Sequence, residues 1–83
     1  MASVTKLLGT ESNLNTATTV DLKPLIRVHN TGVSGEITQK NDSGTILGSV
    51  TLVANEVMNI QKAPSDTLEG GAAFLVVPIA YTN

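Results

Sequence analysis

Apolar and polar residues alternate with a period of two along several short segments of the chain. The clearest segment is residues 46–54, where apolar or small residues occupy every second position and Ser49 and Thr51 lie between them. Residues 25–29 and 57–62 show the same alternation, with Ile26 and Val28 predicted to face inward in the first. This period is that of β-strands with one buried face.

Four further segments are predicted as strands, from weaker alternation or from continuous apolar character: residues 3–8, 16–22, 35–39 and 72–81. The last is typical of a central strand buried on both faces. Residues 9–15 are polar and are interpreted as a loop. Residues 40–44 carry the strongest hairpin-turn signal, because Asn, Asp and Gly favour tight turns. Residues 65–69 are predicted to form one helical turn, which Ser65 caps and two glycines end.

These segments predict an all-β fold. Residues 1–83 form a single domain, a small β-sandwich or barrel of about six to seven mostly antiparallel strands with one short helical turn. Thr, Val and Ile make up 25 of the 83 residues, and such β-branched side chains favour a pleated surface. Only Phe74 and Tyr81 are aromatic and there is no Cys, so the core is thin. We therefore expect a homo-oligomer, stabilised by partner subunits.

Charge and hydropathy exclude two classes of partner. The five Lys and Arg residues are scattered along a chain of net charge −2, so they do not form the basic surface that nucleic acids need. The longest apolar run, residues 72–80, is far shorter than the roughly 20 residues of a membrane-spanning helix. The N-terminus also lacks the pattern of a secretory signal. We expect neither a nucleic-acid partner nor a membrane partner.

Candidate chemistry is sparse along the chain. His29 is the only imidazole, and no serine lies in a Gly-x-Ser-x-Gly motif, so the sequence predicts no catalytic residue and no enzyme. With one His and no Cys, the common structural zinc sites are excluded. Residues 41–44 offer oxygen ligands but lack the spaced acids and the terminal Glu of a calcium loop. We therefore expect neither a metal nor a cofactor.

Interaction surfaces are better supported by the pattern. Leu47, Val53 and Val57 fall out of phase with the inward-facing residues of their own strands, so three apolar side chains are predicted on the outer face of one hairpin. Tyr81 is a fourth candidate, because Tyr is favoured at interfaces. The alternative interpretation is that these are ordinary scattered apolar residues of a protein surface.

The chain also resembles a known family over most of its length. The likeness lies in MASVTKL at residues 1–7, LIRVHN at residues 25–30, residues 46–54 with Glu56, IQKAPSDTL at residues 60–68, and the small-residue and aliphatic strand that follows. In these stretches it resembles small virion structural proteins of tailed phages of marine cyanobacteria. None of them is a catalytic motif, and the resemblance assigns no functional residues.

This resemblance implies a β-sandwich-like protein that is made in the host cytoplasm and attached to the virion in many copies. Its partners would be other virion proteins, above all the major capsid protein. The favoured role is a decoration (cement) protein on the outer surface of the capsid. The alternatives are a component of the neck, tail or a fibre, and a carbohydrate- or receptor-binding module, for which two aromatic residues offer few stacking platforms.

Overall fold

A computed structural model describes residues 4–82 and shows an all-β fold. The strands of this region form two sheets that pack face to face, and the strand pairs are antiparallel. Ser3, in the first predicted strand, lies outside the described residues. The strands are β1 (Val4–Leu7), β2 (Ser12–Leu14), β3 (Leu25–Asn30), β4 (Gly35–Lys40), β5 (Ile46–Leu52), β6 (Val57–Gln61), β7 (Thr67–Glu69) and β8 (Gly71–Thr82).

The larger sheet is built around β8, the longest strand. One edge of β8 pairs with β3, and β6 pairs with the far edge of β3. The other edge of β8 is shared by β1, which pairs with its C-terminal part, and β2, which pairs with its N-terminal part. The prediction of a long central strand at residues 72–81 is confirmed.

Pro78 lies in the middle of this central strand, where a proline is normally excluded because it has no N–H to donate. Its carbonyl oxygen accepts a hydrogen bond from the backbone N–H of Leu8, at 2.9 Å. The nitrogen and oxygen of one strand residue point to the same side. The nitrogen of Pro78 therefore faces the gap between β1 and β2, and its pairing with β3 loses no hydrogen bond.

The smaller sheet has the strand order β5-β4-β7. β4 and β5 form a hairpin around Asn41, whose side-chain oxygen accepts hydrogen bonds from the backbone N–H groups of Ser43 and Thr45. Gly44 completes the turn with a φ of +85°, in a region that glycine adopts without a steric penalty. These contacts confirm the predicted turn at residues 40–44.

β5 contains a bulge that changes the phase of its first residues. Gly48 and Ile46 pair with consecutive residues of β4, so Leu47 is left without a partner. The sequence predicted Ile46 on the inward face, and this is wrong: its side chain is 64% exposed. Leu52, beyond the bulge, is fully buried as the alternation predicted.

The core lies between the two sheets and is almost entirely aliphatic. Ile26 and Val28 face it, as predicted. Phe74 occupies the space above two glycines, since a Cβ on Gly35 or Gly70 would come within 3.2 or 2.9 Å of its ring. The buried core cluster consists of Leu14, Val20, Ile26, Val28, Ile37, Leu52, Leu68, Phe74 and Val76.

Residues 9–15 are not only a loop, because they contain β2. Leu14 is fully buried in the core, and its carbonyl oxygen accepts a hydrogen bond from the N–H of Gly70 at 3.1 Å. A three-residue strand with a single buried side chain has no periodicity to detect, which is why the polar composition pointed to a loop.

Residues 16–22 do not form the predicted strand. Thr18 makes an isolated bridge to Leu68, and the chain then turns through Val20, Asp21 and Leu22, whose φ angles are 50°, 61° and 57°. These left-handed angles are incompatible with a strand. The apolar alternation that suggested a strand arises instead because the Val20 side chain turns into the core.

The predicted helical turn at residues 65–69 is also wrong, since residues 67–69 form β7. Leu68 is fully buried, and its N–H and C=O both pair with Thr18. Asp66 does not act at a helix N-terminus; its carboxylate accepts hydrogen bonds from the Gln39 side chain at 3.0 Å and from the N–H of Ala63 at 3.3 Å. Tertiary pairing of Leu68 overrides the local turn signal.

Candidate functional site

The two lateral sides of the sandwich differ in how the sheets are joined. On one side, here called the closed side, residues 14–18 run from the larger sheet to the smaller one. Thr18 and Leu68 exchange backbone hydrogen bonds of 3.1 and 2.9 Å. Together with the bond from Gly70 to Leu14, these contacts cover the edge of β7 with the protein's own backbone.

The opposite side, here called the open side, is formed by β5 of the smaller sheet and β6 of the larger one. Both are edge strands, because each pairs with a single neighbour among the described residues. Val50, Met58 and Ile60 pack against the core there but stay partly exposed. Between the strands lies a cleft of about 180 Å³, lined by Ile37, Gln39, Gly48, Ser49, Val50, Ile60 and Leu68. The core is therefore incompletely covered on this side.

β6 carries none of the features that usually protect an edge strand, and β5 carries only the bulge at Leu47. No charged residue or proline occurs from Ile46 to Asn55 or within β6. β6 pairs with β3 in unbroken register over all five of its residues. A Cβ added to Gly48 would have no atom within 4 Å, so the cleft opens directly over this glycine. Uncharged, regular edges of this kind are templates for pairing with another chain.

Asn30 fixes the connection between β5 and β6. This side chain is fully buried, and its amide nitrogen lies 2.9 Å from the carbonyl oxygens of Val33 and Leu52 and 3.2 Å from that of Val53. Its backbone N–H donates to Glu56, and its carbonyl accepts from Asn55. The connection crosses from one sheet to the other, so β5 and β6 are not the single hairpin that the sequence predicted.

The outer face of the smaller sheet is mostly polar. Strand register places Glu36, Thr38 and Lys40 beside serine, threonine and glutamate residues of β5 and β7. The Lys40 ammonium and the Glu69 carboxylate lie 3.6 Å apart across this face. Apart from the residues at the bulge of β5, the face has the composition expected of a sheet surface in contact with water.

The outer face of the larger sheet has the opposite character. Register aligns Leu7 with Ile79, and His29 with both Val57 and Leu75, on the side that faces away from the core. The apolar side chains on this side are here called the apolar outer face: Leu7, Leu25, Val57, Leu75, Val77, Ile79 and Tyr81. Leu7, Val57 and Tyr81 are exposed, whereas Val77 and Ile79 are buried, with 6% and 2% of their surface exposed. The polar side chains of Arg27, Asn59 and Gln61 lie on the same side. A depression of about 460 Å³ lies on it, lined by Thr5, Leu7, Gly9, Glu11, Arg27 and Val77. Exposed apolar side chains grouped on one face, such as Leu7, Val57 and Tyr81, are typical of a surface that contacts another protein.

The four interface residues predicted from the sequence all lie on the surface, with exposures of 54% for Leu47, 60% for Val53, 47% for Val57 and 48% for Tyr81. They do not form one patch. Val57 and Tyr81 belong to the apolar outer face, and the Tyr81 hydroxyl accepts a hydrogen bond from the side chain of Asn59. Val53 lies in the connection beside Val57, whereas Leu47 is at the far end of β5, in the smaller sheet.

Sequence reasoning missed several members of these surfaces. Leu7 is 67% exposed on β1 and was not considered a candidate. Leu75 was assigned to a strand buried on both faces; this prediction is confirmed for residues 76–79, whereas Leu75 itself is half-buried. The partial exposure of Met58 and Ile60 depends on the missing neighbour of β6 and has no local signal in the sequence.

His29 lies on the outer face of the larger sheet between Val57 and Leu75, where it is half-buried. Within residues 4–82, no group of three or more His, Cys, Asp or Glu side chains is placed to hold a metal ion.

Lys62 is the one buried cation of the described chain, with 5% of its surface exposed. Its ammonium donates to the carbonyl oxygens of Ala63 at 3.4 Å and Pro64 at 3.0 Å. Burial lowers the pKa of Lys62 below its ordinary value, and the Asp66 carboxylate partly opposes this shift. Because these partners belong to the turn before β7, the group holds that turn in place.

Among the described residues there is no helix that is long and apolar enough to cross a membrane. Comparison of the chain with protein-family models, with curated proteins and with solved structures gives no match.

Proposed function

We propose that this protein is a virion structural protein of a tailed phage that decorates the outer surface of the capsid in many copies. The observation that carries the proposal is the contrast between the two outer faces of the sandwich. The apolar outer face is suited to contact with the shell, and the polar face of the smaller sheet is suited to water. The resemblance to small virion proteins of cyanobacterial phages is the reason for proposing that this shell is a phage capsid.

The size of the domain supports an assembly role. A chain of 83 residues with two aromatic side chains buries little apolar surface, so it gains stability from any surface that binds only the folded state. A shell that presents many equivalent sites provides such a surface. The exposed side chains of Leu7, Val57 and Tyr81 would then become covered on attachment.

The proposal is tested on purified particles of the phage that encodes the chain. Quantitative mass spectrometry gives the number of copies per particle, and labelling with an antibody locates them. A copy number in proportion to the capsid subunits, with label over the head, supports the proposal. A few copies confined to the neck, tail or fibres contradict it, as does absence from the particle together with specific binding on a glycan array.

The contact face is tested by adding purified protein to shells from which it has been removed. Leu7→Asp introduces a charge into the apolar outer face at a position 67% exposed, and we expect it to weaken binding about tenfold or more. Thr51→Asp is the matched control, because it introduces the same charge on the polar outer face of the smaller sheet. Equal binding by the two variants would contradict the assignment of the face.

A further inference from the structure

We infer that two copies of this protein pair through β6, which extends the larger sheet across a two-fold axis at Asn59. The starting observation is that β6 is a regular edge strand with one neighbour, β3, among the described residues. Its five residues include no charge and no proline, and its register has no bulge. The unpaired backbone groups along its outer edge fit an extended strand.

The strand is complementary to itself in the antiparallel direction. When Asn59 is placed opposite the partner's Asn59, Met58 lies opposite the partner's Ile60, and Val57 lies opposite the partner's Gln61. All five residues of β6 are then paired. Side chains that face the core in one copy also face the core in the other, because directly opposed residues of a sheet share a face.

The charges that flank β6 favour this orientation. Glu56 precedes the strand and Lys62 follows it. Antiparallel pairing places Glu56 of each copy at the same end as the partner's Lys62, whose ammonium is held by carbonyl groups of its own chain, so no like charges meet. Parallel pairing would place the two glutamates together and the two lysines together, which is unfavourable.

Pairing through β6 would also complete the core on the open side. Met58 and Ile60 are only partly buried, and Ile60 lines the cleft beside Gly48. In the paired arrangement the partner's Met58 and Ile60 lie next to the same side chains, on the core side of the joined sheet. A second copy therefore covers the apolar groups that β6 leaves exposed.

The size of the protein is compatible with such a contact. A standard interface buries about 800 Å² on each partner, which is about a sixth of the 4822 Å² surface of one copy. Two opposed strands, the partly exposed Val50 and the connection at Val53 lie on this side and would contribute. The pairing is independent of the proposed function, because two copies need no virion to associate.

Oxidative cross-linking tests the pairing and its register directly, because the chain contains no Cys. Opposed Cα atoms of an antiparallel pair lie about 4.5–5.5 Å apart, within the range of about 4.4–6.8 Å that a disulfide spans. Asn59→Cys is expected to form a covalent dimer rapidly on a non-reducing gel. Thr51→Cys, exposed on β5, is the matched control, and equal cross-linking of both variants would overturn the proposal.

Charge exchange at the same position provides the second test. Asn59→Asp and Asn59→Lys each place two like charges at the two-fold axis, and we expect each to weaken dimerisation about tenfold or more in analytical ultracentrifugation. A mixture of the two variants is expected to recover the dimer, while circular dichroism shows both to be folded. A wild-type chain that stays monomeric at millimolar concentration, or no recovery in the mixture, would overturn the proposal. Failure of shell binding with an intact dimer would contradict only the proposed function.

Discussion

Replacing Asn30 by Asp changes one group of a fully buried side chain that holds the connection between β5 and β6. The native amide nitrogen donates to carbonyl oxygens of Val33, Leu52 and Val53 at 2.9–3.2 Å, and the side-chain oxygen accepts from the N–H of Gly32 at 3.0 Å. The shape of the side chain is preserved in Asn30→Asp. Both amide donors are lost, and a carboxyl group then faces carbonyl oxygens.

The expected loss of stability follows from these contacts. Each buried carbonyl left without a donor costs about 1–3 kcal/mol. The protonated carboxyl keeps one O–H donor and so loses one of the two, whereas the ionised carboxylate loses both, at a cost of roughly 2–6 kcal/mol. The introduced carboxyl would keep its proton in the folded state, because burial among carbonyl oxygens disfavours the charge. A domain of this length has a total stability of about 4–12 kcal/mol. Asn30→Asp is therefore expected to lose about half of this stability at neutral pH.

The sign of the pH dependence provides a sharper test than the loss itself. The introduced carboxyl ionises near pH 4 in the unfolded chain and at a higher pH in the folded one. The free energy of unfolding therefore falls as pH rises between those two pKa values, by about 1.4 kcal/mol per unit. Urea titration followed by circular dichroism from pH 4 to 8 measures this slope. Asn15→Asp, at an exposed position, is the control.

A loss below 1 kcal/mol, or a slope equal to that of Asn15→Asp, would refute the reasoning. Either result would mean that the carbonyl groups of Val33, Leu52 and Val53 find other donors when the amide is removed. Proton exchange at the Asn55 amide, which donates to the Asn30 carbonyl at 2.8 Å, would then be unchanged as well.

Three further predictions address other features of the molecule. Val53→Asp and Val57→Asp are expected to weaken assembly or shell binding, while the thermal midpoint of the isolated protein changes by no more than a few degrees. If either variant protein is unfolded, these valines belong to the core instead. Leu22→Gly is expected to raise the free energy of unfolding by about 0.5–1 kcal/mol, because Leu22 is exposed at a φ of 57°; a loss in a urea titration would contradict this. Burial lowers the pKa of Lys62, so the unfolded state binds more protons than the folded state at alkaline pH. The free energy of unfolding of the wild type should therefore rise from pH 8 to 10 relative to that of Lys62→Met. Equal slopes of the free energy of unfolding against pH in the two proteins would contradict this.

Local patterns predicted the parts of the fold whose causes are local. The alternation at residues 25–29 identified β3 because Ile26 and Val28 face one core. The turn around Asn41 was predictable because its side chain bonds to the backbone within four residues. β2 and β7 could not be predicted in this way. Leu14 pairs with Gly71, and Leu68 pairs with Gln39 and Thr18, so both become strand residues through partners that are distant in the sequence.

The candidate site was likewise predictable only where its signal is local in the sequence. Val53 and Val57 could be identified because they fall out of phase with the inward-facing residues of their strands. The apolar outer face could not, since Leu75, Val77 and Ile79 share a continuous apolar run with the core-facing Phe74 and Val76. Residues 76–79 of that run are buried on both faces, and the exposure of its other members depends on the order of strands in the sheet. Composition and periodicity do not contain this information.

The two proposed contacts would reinforce each other because of the direction of the symmetry axis. Antiparallel pairing at Asn59 relates two copies by an axis perpendicular to the joined sheet, so both apolar outer faces point to the same side. A pair of copies could then touch one shell through both faces at once. The second contact forms at a high effective concentration once the first is made, so the overall affinity can exceed that of either contact by orders of magnitude. A domain with a thin core and weak individual contacts could in this way remain bound to a particle.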